Sequence, residues 1–208
     1  IPAAKSDSPP RLLTPQEELK SFVLAPGLRM ELVVDGAVIR EPLAIQFSPD
    51  GRLWVLEMDS RADNRGRSEE PGAGGVAVLE DTDGDGRMDK RTTFATGLIA
   101  PCGILLVGDG VVVLDLPHFW FLRDRDGDSV SDERTKIAVD NTEHPDRAIG
   151  LNGLVLAIDN WIYSAASTVC VRHVGAGNFI AERTSRRAGR SITQDETGRL
   201  YYGGDGNM

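Results

Sequence analysis

Four short stretches share one pattern, and their recurrence limits the folds open to this chain. PLAIQFSPDGRLWVLEMD, CGILLVGDGVVVLDL, LNGLVLAIDNWIYSAA and RSITQDETGRLYYGG each read as two strands around a tight turn. Their flanks are rich in β-branched, leucine and aromatic residues, and the turns fall at Pro49-Asp50-Gly51, Asp109-Gly110, Asp159-Asn160 and Thr197-Gly198. That combination is the sequence mark of a hairpin. The turns lie 59, 50 and 38 residues apart. A drifting period of about 40 to 50 residues, with four strands per unit and no helix between units, predicts β-propeller blades. A sandwich of regular hairpins is the alternative. The expectation is an all-β chain holding about four blades, part of a larger ring, because an open arc of so few blades leaves strand edges exposed.

Two acidic loops fall between the hairpin units. DTDGDGRMDK places Asp81, Asp83, Asp85 and Asp89 within nine residues, and DRDGDSVSD repeats the spacing with Asp124, Asp126, Asp128 and Asp132. Like charges this close repel by about 1 kcal/mol per pair even in water. A cation at the centre removes that cost. Calcium takes about 6 to 8 oxygen ligands, and an EF-hand-like loop supplies them from positions 1, 3 and 5, a carbonyl at 7, and later positions. The first loop fits with Asp81, Asp83, Asp85, the Arg87 carbonyl and Asp89. Thr92 stands where a helical EF-hand has its bidentate Glu, so Asp89 takes over that duty. The second fits with Asp124, Asp126, Asp128, the Val130 carbonyl and Asp132, but Ser129 replaces the turn glycine. A side chain there predicts backbone strain and weaker binding. Solvated acidic turns are the alternative for both loops. Four carboxylates around one ion suit a structural staple better than catalysis.

Residues 1–11 (IPAAKSDSPPR) read as a flexible leader, with too little apolar surface to fold. The partial propeller domain is expected over residues 12–208, with a helix at about 14–23. Thr14, Pro15 and Glu17 there match a capping box with proline at the first helical position. MELVVDG reads as a strand. The first residue is Ile1, which fits a processed protein or a piece of a longer one.

Net charge is −9 with a pI near 4.8, which argues against nucleic-acid binding, since that needs a basic face. No apolar run reaches the roughly 18 residues of a transmembrane segment. Cys102 and Cys170 are the two cysteines. They form no CxxCH, so the chain carries no c-type haem motif, and they read as buried thiols in strands, with a disulfide as the alternative.

LTPQEELKSFVLAPGLRMELV, PLAIQFSPDGRLWVLEM, VLEDTDGDGRMDKRTTFATGL and NGLVLAIDNWIYSA together resemble the N-terminal β-propeller of the membrane-bound dehydrogenases of planctomycetes and their relatives. The similarity runs from residue 12 to about 205. That family is related in fold to soluble quinoprotein glucose and sorbosone dehydrogenases, and its longer members continue into helical repeats and a c-type cytochrome module. The resemblance implies an exported, periplasmic protein with pyrroloquinoline quinone as cofactor, beside the calcium read from the acidic loops. It also implies a sugar or small alcohol as substrate, and further blades or domains as partners. In the quinoprotein relatives a His lies ten residues before the Asp of the third hairpin turn, where it serves as base. Here that place holds Ile149. His144, five residues upstream, is the candidate base on this reading; His118 and His173 have weaker claims. Asn152 matches the family's N-G-L element and, with Glu57, is a channel candidate for cofactor binding. Trp54, Trp120, Trp161, Tyr163 and Tyr201 fit packing between blades. Arg183, Arg186, Arg187 and Arg190 form a basic loop.

Overall fold

The computed structural model describes residues 11–58, 74–140, 153–165, 167–184 and 191–203. Its one described helix, α1 (Pro15–Ser21), carries the expected capping box: Thr14 Oγ1 accepts from Glu17 N at 3.3 Å and Glu17 Oε2 accepts from Thr14 N at 2.8 Å. It ends before residue 23. Phe22 is already extended, and no residue of α1 is buried, so packing adds no further turn. No described helix is long and apolar enough to cross a membrane. Of the leader, only Arg11 lies among the described residues.

Three four-stranded antiparallel sheets follow, each a meander in chain order. The first blade is β1 (Pro42–Phe47), β2 (Leu53–Glu57), β3 (Gly74–Glu80) and β4 (Lys90–Leu98). The second is β5 (Pro101–Val107), β6 (Gly110–Asp115), β7 (His118–Arg123) and β8 (Glu133–Val139). The third is β9 (Leu154–Leu156), β10 (Ile162–Ser164), β11 (Val169–Gly175) and β12 (Asn178–Arg183). A fourth sheet has two described strands, β13 (Ser191–Gln194) and β14 (Leu200–Gly203). The leading strands of successive sheets lie against one another, β1 by β5, β5 by β9 and β9 by β13. Consecutive meanders sharing an innermost row of first strands are a β-propeller.

The blades stack through apolar faces. Trp54, Leu56, Val76, Val78 and Phe94 of the first blade meet Ile104, Val111, Val113 and Leu122 of the second. Val112, Leu114, Phe119 and Phe121 then meet Leu154, Ile162 and Val171 of the third. Alternate residues of β6 therefore serve opposite interfaces, which explains its unbroken apolar run. The first blade's other face, Leu53, Val55, Leu79 and Met88, is covered by Val33, Val34, Val38 and Ile39. MELVVDG thus lies against a sheet without joining one: among the described residues it forms no strand, and Val33 O accepts from Met88 N at 2.8 Å.

Three of the four hairpins close with one turn. Ser48 N, Ala157 N and Asp195 N donate to the carbonyls of Arg52, Trp161 and Arg199, and left-handed Gly51, Asn160 and Gly198 sit at the same place in each. The second hairpin is tighter, pairing Val107 directly with Gly110. Its Gly108 faces the third blade, where an added Cβ would lie 2.9 Å from His173 Cε1.

Candidate metal loops and strand-end acids

Both acidic loops join the third and fourth strands of their blades, and they match bond for bond. Asp81 accepts from Gly84 N and Gly86 N at 2.7 and 2.9 Å; Asp124 accepts from Gly127 N and Ser129 N at 2.7 and 2.8 Å. Asp83 takes the amide of Asp85, and Asp126 that of Asp128. Asp85 takes Arg87 N and Asp128 takes Val130 N, at 2.8 and 2.7 Å. Asp89 and Asp132 reach back to the amides of Thr82 and Arg125. Ser129 takes the left-handed conformation of Gly86, φ 67° against 89°. The strain expected at that position is present.

Oxygens of Asp81, Asp83 and Asp89 come within 4.8 Å of one another in the first loop, and those of Asp124, Asp126 and Asp128 in the second. Asp85 and Asp132 stay outside these groups, so neither loop gathers all four predicted carboxylates. The all-oxygen donor set fits a hard cation. The Gly86 amide foremost, with its neighbours, holds Asp81 below the usual carboxylate range. Against partial desolvation, the Gly127 and Ser129 amides do the same for Asp124. One amide also favours the charge of Asp126, but the carboxylates of Asp128, Asp132 and Asp124 together hold it above that range. Repulsion of this kind is what a bound cation would relieve.

At the opposite end of the sheets a second repeat appears. Glu57 closes β2 and Asp115 closes β6, facing Pro42 and Pro101 respectively. Glu57 Oε1 accepts from Arg40 N at 2.9 Å, and Asp115 Oδ1 from Ile99 N and Ala100 N at 2.9 and 2.6 Å. Each acid thereby pins the segment leading into its own blade. The other oxygen faces an arginine at matching positions of the last strand: Arg91 Nη2 lies 2.7 Å from Glu57 Oε2, and Arg134 Nη2 lies 3.7 Å from Asp115 Oδ2. Burial raises the Asp115 pKa against these partners. Asp140, fully buried after β8, accepts from Ser167 Oγ at 2.7 Å and Thr168 N at 3.0 Å. Glu57, a channel candidate from sequence, has both oxygens engaged. The other candidates, His144 and Asn152, and the substituted position Ile149, lie outside the described residues, as do Arg186, Arg187 and Arg190. An acid ending an apolar strand (LWVLE, VVVLD) was the available signal for these clamps.

His118 is half-buried beside Trp120, and desolvation, with Lys136 next, lowers its pKa. His173 packs against Phe121 and Phe179 between blades. The aromatic residues serve packing: Trp54 meets Phe94 edge-on, Trp120 lies under Arg134 and Lys136, and Trp161 under Arg172. Tyr163 and Tyr201 donate to the turn acids Asp159 and Asp195, each at 2.9 Å. A cleft of about 360 Å3 opens between the first two blades, lined by Arg52, Trp54, Phe94, Asp109, Asp124 and Ser129 among others.

The profile of a domain of unknown function, DUF7133, matches residues 14–201. The chain belongs to that family. No curated protein matches the DUF7133 chain. Among solved structures it is similar to a luciferin-regenerating enzyme, at 12% identity and TM-score 0.47, over 72% of this chain and 47% of that one. It is also similar to a candidate gluconolactonase, at 19% identity and TM-score 0.49, over 81% of this chain and 57% of that one. The DUF7133 chain thus spans about half the length of these structures.

Proposed function

We propose that this chain is a calcium-stapled propeller segment that serves binding and assembly. The carrying observation is that two loops, 43 residues apart, reproduce one amide-to-carboxylate scheme at the same place in successive blades. Asp81, Asp83 and Asp89 would hold one ion, helped by the Arg87 carbonyl and Asp85. Asp124, Asp126 and Asp128 would hold another, helped by the Val130 carbonyl and Asp132. A bound ion supplies positive charge that ties the third strand of each blade to the fourth, and it stabilises the fold by mass action. A glycan or a protein surface is the partner this reading expects. Thermal unfolding with calcium and with excess chelator tests it; an unchanged melting temperature would overturn the staple.

The sequence motifs shared with planctomycete dehydrogenases favour a second reading. On it, an exported propeller oxidises a sugar or alcohol with pyrroloquinoline quinone and passes electrons to a haem module. The described residues offer the quinone no free buried acid, since Glu57 and Asp115 are engaged, so no step is assigned through it. Dye reduction with the quinone and a panel of sugars tests this reading, and absence of quinone-dependent turnover would end it.

A further inference from the structure

One register position decides whether the gap between two blades is filled. Leu79, Leu122 and Val171 pair with Leu53, Val111 and Ile162, which pair in turn with Phe47, Leu106 and Leu156 of the leading strands. Two residues further on, toward the hairpin-turn end, stand Asp81, Asp124 and His173. Between the second and third blades His173 takes up the space. Its ring lies against Phe121 and Phe179, and so near Gly108 that an added Cβ there would come within 2.9 Å of it. Between the first and second blades the same position holds Asp124. That shorter side chain is drawn back onto the amides of its own loop, Gly127 N and Ser129 N, at 2.7 and 2.8 Å. The gap stays open as the cleft of about 360 Å3, within the range of roughly 300 to 1,000 Å3 of small-ligand sites.

The walls of this cleft define a chemistry. Trp54 and Phe94, set edge to face, form an aromatic floor with Leu106 beside them. Trp54 is 7% exposed, and its Nε1 is buried and donates to no described acceptor. A buried donor left unpaired is costly, and a ligand that accepts from it removes the cost. Asp50 and Asp109 bring carboxylate oxygens to the lining, and the Arg52 guanidinium lies over the indole, 5.9 Å from its centre. With Asp124, three aspartates face one arginine, a balance that repels an anion. A simple cation suits the acids but brings no acceptor for the indole N–H. A neutral ring bearing hydroxyls meets both demands, since each hydroxyl donates and accepts, and its apolar face can cover the aromatic floor. We infer that the cleft binds such a polyhydroxylated ring, one sugar unit of a glycan, with Trp54 as donor and Asp109 as acceptor. This rests on the binding role proposed above, for which it supplies a place, and not on occupancy of the metal loops.

Indole signals in a proton–nitrogen NMR spectrum test the inference. The chain has three tryptophans, Trp54, Trp120 and Trp161, and of these Trp54 alone lines the cleft. Its signal is assigned by its loss in Trp54→Phe. Titration with neutral sugars (glucose, galactose, mannose, cellobiose and lactose) should move that signal alone, and saturably. Asp109→Ala should weaken the binding by about threefold or more, with the Trp120 and Trp161 signals unmoved as the check on folding. Calorimetry should show a similar loss for Trp54→Phe. Saturable movement with arginine or glutamate in place of every sugar overturns the neutral-ring assignment. No movement with any sugar, or equal movement of all three signals, overturns the site. Either failure is distinct from failure of the staple, which the melting temperature in calcium and in chelator reports independently.

Discussion

Arg52, in the hairpin turn of the first blade, donates from Nη1 to Ser129 Oγ, in the acidic loop of the second, at 3.1 Å. The same guanidinium donates from Nε to Asp50 Oδ2 at 2.8 Å, so one side chain links a turn to its neighbour's loop. Ser129 is the non-glycine residue at a left-handed position, and Arg52 supplies a reason for a side chain there. Arg52→Ala should lower unfolding free energy by about 1–3 kcal/mol, as expected for a hydrogen bond to a charged group. Ser129→Ala should destabilise more than Ser129→Gly, by about 1 kcal/mol, because only glycine relieves the backbone while both lose the bond. Urea denaturation of the three variants decides the order.

Calcium should raise the melting temperature by several degrees at saturating concentrations, in line with about 3 kcal/mol at a hundredfold excess over Kd. Calorimetric titration should count two ions. Asp81→Asn should remove one and Asp124→Asn the other, and the double variant should melt alike with calcium or chelator.

Glu57 tests the strand-end clamp. Glu57→Ala leaves the partly exposed Arg91 guanidinium without its carboxylate and Arg40 N without its acceptor, and should cost about 1–3 kcal/mol of stability. Removing both ends in Glu57→Ala/Arg91→Ala should recover part of that loss. Equilibrium unfolding of the two variants measures the recovery.

Acid should weaken the junction behind the second loop. Hydrogen bonds from Arg123 foremost, with Arg125 and Thr135, depress the Glu133 pKa from 4.5 to about 2. The folded state therefore binds this proton less readily than the unfolded chain, and the contribution is complete above pH 4.5 and lost as pH falls towards about 2. The stability difference between wild type and Glu133→Gln should stay level above that window and shrink through it.

Cys102 and Cys170 are free and buried, and desolvation pushes the Cys102 thiol up to about 12 and raises that of Cys170. A thiol kept protonated is a poor nucleophile. Ellman's reagent should label neither cysteine in the native state and both after denaturation.

The hairpins, the helix cap and the acidic loops were legible because each rests on local chemistry: a turn residue, a capping box, an alternation of Asp and Gly. The strain at Ser129 was legible for the same reason. MELVVDG misled because β-propensity describes what a segment tolerates, while strand formation needs an edge to pair with, and Val33 and Val34 meet side chains instead. The membership of the ligand groups was not legible either. Asp85 and Asp132 keep the right spacing, yet neither falls within the groups of mutually close oxygens. Glu57 was read as a channel candidate because its partner Arg91 stands 34 residues along the chain, where no spacing rule reaches it.

Gly108, beside His173, has a consequence for the curvature of the molecule. A methyl group there would strike the imidazole at 2.9 Å, and one at Gly177 would strike the Arg123 guanidinium at 2.8 Å. Both contacts lie between the second and third blades. The Arg123 guanidinium ends a flexible side chain and can swing aside, whereas the His173 ring is packed against Phe121 and Phe179. The missing side chain at Gly108 is therefore a shim of zero thickness, and filling it would press the second and third blades apart at the hairpin-turn end.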